Sequence, residues 1–279
     1  MTEIDPESAV GGHCLFDTHA HLCDPAFDGD RGAVLERARE AGVESIVAVG
    51  ETLQDARANL ALAHDYPWII RPAAGLFPTI LDLDQAESLA QWIRRHVEDL
   101  IAIGEVGLDH WKVEEPEDRE IQRQVFERFV ELAVELDLPL NVHSRSAGAP
   151  AIELLLQCGA RRVQLHAFDG RAAKAQPAIE AGFFLSVPPS VVRSRQKQKL
   201  VQRVPLQNLL LETDSPVLGR EPGERNEPAN LGVSLQAVAE LKGVHREAVV
   251  EAVRDNSLRL YGEALLGGSS HRSDSASGN

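Results

Sequence analysis

Cysteine, long apolar runs and positive charge are all in short supply in this chain. Its 279 residues include three cysteines, Cys14, Cys23 and Cys158. Three thiols build no disulfide framework, which points to a reducing, cytoplasmic setting and a fold that depends on its own core. No apolar stretch approaches the ~20 residues that a bilayer crossing requires. The opening residues Met1 to Ser8 are acidic and lack the basic and apolar regions of a signal peptide. Lys and Arg number 28 against 43 Asp and Glu, a formal net charge of −15. Bulk electrostatics therefore disfavour nucleic acid and acidic membranes as partners. A phosphate-bearing substrate then needs local positive charge, from metal ions or from a basic patch. Arg193, Arg195, Lys197, Lys199 and Arg203 are one such patch, and a solvated helix face is the simpler reading of it. Also missing is any Gly-x-Gly-x-x-Gly after a strand, which weakens the nucleotide-binding version of an open α/β sheet.

What the chain does have is a regular alternation of short apolar runs and longer amphipathic ones. Strands are predicted at 15–18, 45–49, 69–74, 100–104, 138–142, 163–165, 183–187 and 208–212, several rich in Val and Ile as buried parallel strands are. Helices are predicted near 29–41, 53–65, 84–97, 118–137, 149–158, 172–181 and 193–203, with two more near 232–242 and 245–261. Gly42, Gly159 and Gly182 fall where helices stop. Eight strands alternating with helices favour an α/β fold of the (β/α)₈ TIM barrel type, a single domain over 14–265. A doubly wound open sheet is the alternative from pattern alone. Residues 1–13 and 266–279 carry little to bury and are expected to be disordered.

In such a barrel the active site sits at the C-terminal ends of the strands. His19 and His21 lie one residue apart in Asp17-Thr18-His19-Ala20-His21-Leu22. Extended backbone points residues i and i+2 to one face, so both imidazoles can converge on one point. The ends of the fourth, fifth, sixth and eighth strands add Glu105, His143, His166 and Asp214. Four imidazoles and two carboxylates suit borderline cations such as Zn²⁺, Mn²⁺, Fe²⁺ or Co²⁺, and Mg²⁺ less naturally. Six ligands exceed the usual set for one catalytic zinc. Two ions about 3.5–4 Å apart with a shared carboxylate accommodate the surplus, and Glu105, with two oxygens, is suited to bridge. Each residue alone also has a plain structural reading: a hydrogen-bonded buried histidine, a paired core carboxylate, an Asp capping the turn before Pro216. Their coincidence at strand ends favours metal. Cys23, near the histidine pair, is expected to be an ordinary thiol. His13, His64, His96, His110, His245 and His271 are expected at the surface, with His110 nearest to Glu105. Asp109 is expected to orient a neighbour.

The segments Phe16-Asp-Thr-His-Ala-His-Leu22, Gly104-Glu-Val-Gly-Leu-Asp109, Val142-His-Ser-Arg145, Leu165-His-Ala-Phe-Asp-Gly170 and Leu210-Leu-Glu-Thr-Asp-Ser-Pro216 resemble the TatD family of metal-dependent hydrolases, among the amidohydrolase-like barrels. Arg225-Asn-Glu-Pro228 fits as well, and the likeness runs from about Leu15 to Gly262. It implies a TIM barrel, a binuclear divalent-metal centre and hydrolase activity, often deoxyribonuclease. It assigns His19, His21, Glu105 and Asp214 to one ion, and Glu105, His143 and His166 to the other, with Arg145 beside them. The chain departs from the family at Gly75-Leu76-Phe77-Pro78, where the family usually has Gly-x-His-Pro; Phe77 carries neither donor nor charge.

These features predict a phosphodiesterase that cleaves DNA or RNA ends by a metal-activated water. Asp214 is placed to accept the water's proton and Glu105 to join the ions. Arg145 can hold a phosphate oxygen through its planar fork, or form a structural salt bridge. Asn226 is a candidate substrate contact or an organiser of the loop after the eighth strand. Two other functions remain open: an ester or amide hydrolase acting on a small molecule or an aminoacyl ester, and a binding protein that keeps metals for stability.

Overall fold

Eight parallel strands follow the chain in order: β1 (Leu15–Ala20), β2 (Val43–Ala48), β3 (Ile70–Ala74), β4 (Ala102–Gly107), β5 (Leu140–His143), β6 (Val163–Leu165), β7 (Phe184–Val187) and β8 (Leu209–Leu211). The computed structural model describes residues 14–267. The segments 1–13 and 268–279, with His13, His271 and the disorder expected of the termini, lie outside the described residues. Leu266, predicted to begin the tail, instead closes a 3₁₀ turn at Glu263–Leu266.

Each strand pairs in parallel with the next. The last returns to the first through an Ala20–Ser215 bridge. Beside it, Asp214 N donates to His19 O at 2.9 Å and His21 N to Ser215 O at 2.8 Å. The sheet is thereby a closed barrel, and its seam runs through candidate ligands.

Helices α1 (Arg31–Glu40), α2 (Leu53–Asp65), α3 (Leu83–Arg95), α4 (Pro116–Leu136), α5 (Gly148–Gln157), α6 (Gln176–Glu180) and α7 (Arg195–Arg203) cover the outside, followed by α8 (Leu231–Lys242) and α9 (Arg246–Tyr261). In α3, Ala86, Leu89, Ala90 and Ile93 recur at helical spacing and are buried. Its start is fixed by Asp82, whose carboxylate accepts from the backbone of Asp84 and Gln85 at 3.0 Å each. Gly42, Gly159 and Gly182 follow α1, α5 and α6 with φ of 84°, 72° and 80°, the left-handed stop that their positions predict. The helix expected over 172–181 is broken: Ala172–Ala175 is a 3₁₀ turn and α6 begins only at Gln176. Pro177 has no N–H to donate, so it is accepted only in a helix's first turn.

The core has two parts. One lies between sheet and helices. The other fills the barrel itself, where Phe16, Val47, Ala73, Ala102, Phe184 and Leu210 face Leu260, Tyr261 and Leu265. The end of α9 and the turn after it thus plug the barrel on the side away from the strand C-termini.

The loop after β8 is pinned to α1 by two forked ion pairs. Arg225 holds Asp30 with bonds of 2.7 and 2.7 Å, and Arg37 holds Glu227 with bonds of 2.9 and 2.6 Å. The Arg225 guanidinium, aided by Arg37, pulls the Asp30 carboxyl down to about 2. A depressed carboxyl stabilises the fold fully above its unfolded value of 3.8 and loses that share as pH falls through about 2. Carbon-detected NMR titration should place the Asp30 midpoint near 2, and Arg225→Gln should return it toward 3.8; a midpoint near 3.8 in the unaltered protein would exclude the clamp in solution.

Candidate metal centre

The candidate ligands stand where the strands end because small residues let the strands crowd together there. A Cβ on Gly75 would lie 2.3 Å from Glu105 O, and one on Gly107 would lie 2.0 Å from His143 O. Gly107 also has φ +148°, a backbone that side chains resist. β4 therefore runs two residues past Glu105, rather than stopping before it as the pattern suggests, and carries the carboxylate into the barrel.

There Glu105 divides its oxygens. Oε2 lies 3.3 Å from His21 Nε2 and 3.9 Å from His19 Nε2. Oε1 lies 2.6 Å from His143 Nδ1 and 2.8 Å from His166 Nε2. Asp214 Oδ1 completes the first group, 3.4 Å from His19 Nε2 and 3.5 Å from His21 Nε2, and those two nitrogens are 3.3 Å apart. Ligands about 2.1 Å from a tetrahedral ion are about 3.4 Å from one another, a spacing close to that of the His19, His21 and Glu105 donors. His143 Nδ1 and His166 Nε2, 3.2 Å apart, form with Oε1 a three-donor face beside them. Three overlapping metal-ready groups result: His19, His21 and Glu105; His19, His166 and Asp214; Glu105, His143 and His166.

All six side chains are buried or nearly so, and their proton affinities reflect the crowding. Burial pulls His19 and His21 down, but Asp214 and Glu105 override it and hold both above the ordinary imidazole value. Burial works against the charge on Glu105 too, yet His166, His143 and His21 keep it well below the carboxylate range. Asp214 is likewise lowered against its burial by His19 and His21. His166 goes the other way: burial, and then His19, push it down to about 4, so its ring stays neutral and available as a ligand. Its Nδ1 has no hydrogen-bond partner. Two buried carboxylates surrounded by imidazole nitrogens form a cage that favours cations.

A second layer aims the rings. Asn141 Oδ1 lies 2.8 Å from His19 Nδ1, so an Nδ1–H donating to it leaves Nε2 free for the cage. Asp109 Oδ2 lies 3.1 Å from His143 Nε2, while its other oxygen accepts from the backbone of Trp111 and Lys112. Asn141 Nδ2 donates to Thr18 O at 2.9 Å and to the Tyr261 hydroxyl at 3.2 Å. That hydroxyl donates to Gln164 Oε1 at 2.5 Å, and Gln164 donates to Ser186 Oγ at 2.9 Å. Ser186 in turn donates to Glu212, whose other oxygen accepts from Ala167 N. The donors and acceptors of this buried layer satisfy one another across five elements. Glu212 lies within the Leu210–Pro216 motif, but Asn141, Gln164, Ser186 and Tyr261 stand in none; the available signal is a polar side chain inside an apolar strand, as in Leu140-Asn141-Val142 and Val163-Gln164-Leu165.

Above the cage opens a cavity of about 450 Å³, lined by His21, Glu51, Phe77, Ser144, Arg145, Asp169, Lys197, Val217 and Leu218 besides the ligands. Arg145 is exposed, and its guanidinium stacks 3.7 Å from the Trp111 ring centre. Phe77 meets the His143 ring edge-on at 5.3 Å. Asn226, a candidate substrate contact, does not reach the cavity. It is 1% exposed, and its Nδ2 donates to Thr213 O and Val217 O at 2.7 and 2.8 Å. Those bonds use both amide hydrogens and make it an organiser of the loop. His64 and His245 are exposed, His96 stacks on Trp92, and His110 lines a separate cleft beside Arg119. Burial pushes the Cys23 thiol up to about 12, which keeps it protonated. Lys197, assigned by the pattern to a solvated face, is instead half-buried in the cavity wall.

Residues 16–262 match the model of the TatD-related DNase family. The chain belongs to this family. Human Deoxyribonuclease TATDN3 is 44% identical over 90% of the chain and 96% of its own length. The metal-dependent hydrolase YabD of Bacillus subtilis (strain 168) is 34% identical over 88% and 98%. The crystal structure of the TatD homolog YjjV from Escherichia coli superimposes with a TM-score of 0.82 at 28% identity, over 88% of this chain and 97% of that one. The TatD barrel and the strand-end cage thus meet in one chain.

Metal should stabilise this fold. Chelator-stripped protein should melt lower than protein with Zn²⁺ or Mn²⁺ at a hundred times its Kd, where binding contributes about 2.7 kcal/mol. Asn141→Leu should weaken Zn²⁺ binding, read by competition with a chromophoric chelator, by about 10–100-fold while circular dichroism stays native. Unchanged affinity would remove Asn141 from the role of aiming His19.

Proposed function

We propose that this protein is a divalent-metal-dependent phosphodiesterase acting on nucleic-acid ends, a deoxyribonuclease of the TatD type. The observation that carries the reading is the division of Glu105: one oxygen toward His19 and His21, the other toward His143 and His166. That division suits two ions, with His19, His21, Glu105 and Asp214 holding one and Glu105, His143 and His166 the other. Zn²⁺ and Mn²⁺ match the nitrogen-rich donors better than Mg²⁺ does. Bound there, the ions supply Lewis acidity toward a phosphoryl oxygen and lower the pKa of water.

The chain's own groups do the rest. Asp214 faces the cavity and takes the proton of the attacking water as the new P–O bond forms and the bond to the leaving oxygen breaks. Asn141 and Asp109 hold their imidazoles in fixed tautomers. Arg145 makes no ion pair among the described residues, and stacking on Trp111 keeps its fork oriented for a non-bridging phosphate oxygen. Phe77 excludes water from the side of His143. Its apolar ring supports a second reading, hydrolysis of a less charged ester or amide. No helix among the described residues is long and apolar enough to cross a membrane. Three free thiols support a cytoplasmic location.

Stripped protein reloaded with Mn²⁺ or Zn²⁺ should cleave single-stranded DNA and an aryl phosphodiester, and Asp214→Asn should lower kcat by about 10²–10⁴-fold. Cleavage of simple esters alone would replace this reading with the second. Binding of metal with no turnover of any substrate would remove both. Phe77→His restores a donor at that wall and should speed DNA cleavage; an unchanged rate would mean that the position does not govern catalysis.

A further inference from the structure

Lys197 turns away from solvent. Its Nζ donates to Ala167 O at 2.6 Å, and its side chain lines the metal cavity. The segment that carries it is unlike the rest of the chain. From Arg171 to Leu211 seven basic residues meet one acid, Glu180, in a protein of net charge −15. Glu180 is the last residue of α6, and helices of this barrel lead away from the strand C-termini, so the acid lies toward the far end.

The basic residues nearest the mouth form an arc. Arg145 follows β5. Arg171 and Lys174 lie in and beside the 3₁₀ turn Ala172–Ala175, which packs against both α5 and α7. Arg193 and Arg195 flank the start of α7. Arg145, Arg171, Lys174, Arg193 and Arg195 are exposed, and Lys197 continues the arc into the cavity. None of the six joins an ion pair among the described residues, whereas arginines elsewhere around the mouth are neutralised: Arg31 by Asp28, Arg37 by Glu227, Arg225 by Asp30. Glu51 lines the cavity from the β2 side. Asp169, which follows β6, also lines the cavity, and its oxygens accept from Ser146 N at 3.1 and 3.2 Å, so the β5–β7 side of the mouth carries an excess of cations rather than cations alone.

We infer that this arc holds the non-scissile phosphates of a single-stranded nucleic acid, so that the strand passes over the β5–β7 side of the barrel as it enters or leaves the cage. The inference rests on the phosphodiesterase reading above. The candidate cage lies at the floor of a cavity of about 450 Å³, and a flexible strand that places one phosphate there leaves its neighbouring phosphates at the rim. Backbone-tracking cations beside a reaction centre are the ordinary means of holding a single strand. A chain this acidic gains more from a local arc than from its overall field.

The test pairs two triple variants of the full chain. Lys174→Gln/Arg193→Gln/Arg195→Gln alters the arc at exposed side chains, and the hydrogen bond it removes is a long one, Arg193 Nε to Gly219 O at 3.4 Å. Arg57→Gln/Arg95→Gln/Arg161→Gln removes equal charge from exposed positions elsewhere. A fluorescein-labelled oligothymidylate is titrated against each chelator-stripped protein by anisotropy at several salt concentrations. The first variant should bind about tenfold more weakly at low salt, and its slope of log affinity against log salt should be shallower by about 2. The second should bind like the unaltered protein. Equal losses in both variants, no loss in the first, or no binding by the unaltered protein overturns the inference. If arc-dependent binding is found but the metal-loaded protein cleaves no phosphodiester, the arc stands and the catalytic reading falls. If cleavage is found with arc-independent binding, the reverse holds.

Discussion

Closure of the barrel is the constraint from which the site follows. The eighth strand can meet the first only if the backbone of Asp214 bonds to that of His19, and that of His21 to Ser215. Those pairings set two imidazoles and a carboxylate side by side before any cation is considered. Glu105 arrives from the opposite wall on a strand that glycines allow to come close. Coordination geometry and sheet geometry are therefore one arrangement. Asp214 stands three residues past β8, so a shift at the seam would break its backbone bond to His19 and pull the two side chains apart.

The cage is stabilised by mutual compensation rather than by exposure to water. Each buried charge would be costly alone, and each has an opposite partner within reach. Asp17 illustrates the balance in the layer beneath. Burial raises its carboxyl to about 7 even though Thr213 donates to it through both backbone and hydroxyl. Neutral polar groups, Asn141, Gln164, Ser186 and Tyr261, occupy most of the remaining positions, so the interior changes from charged to polar to apolar along the barrel axis. The apolar plug of Phe16, Phe184 and Leu260 lies at the end of that gradient.

Much of this was legible from the chain. Short apolar runs marked every strand, because parallel strands buried on both faces leave continuous rather than alternating hydrophobic stretches. The clustered His and carboxylate side chains were legible because, at the strand ends, they break those runs abruptly. Boundaries were less so: β4 extends to Gly107 because backbone crowding, which no side-chain pattern records, draws it inward. Asn226 could be read either as a loop organiser or as a substrate contact, because an Asn in a loop near the site can be both; the fold commits its amide to Thr213 and Val217. Lys197 looked like part of a wet helix face because alternate basic residues around it do face water. Its inward turn depends on where the Ala167 carbonyl sits, and Ala167 has φ +41°, a tertiary detail with no local signature.

The hydroxyl of Tyr261 reaches from the final long helix to Asn141, which steadies His19 on the first strand. Synthesis from the ribosome delivers these partners at opposite times. An emerging polypeptide can assemble its sheet, yet His19 keeps an unsteadied neighbour until α9 has left the exit tunnel. Maturation of the candidate cation pocket is in this way deferred until α9 docks, and a product lacking α9 is left without that support.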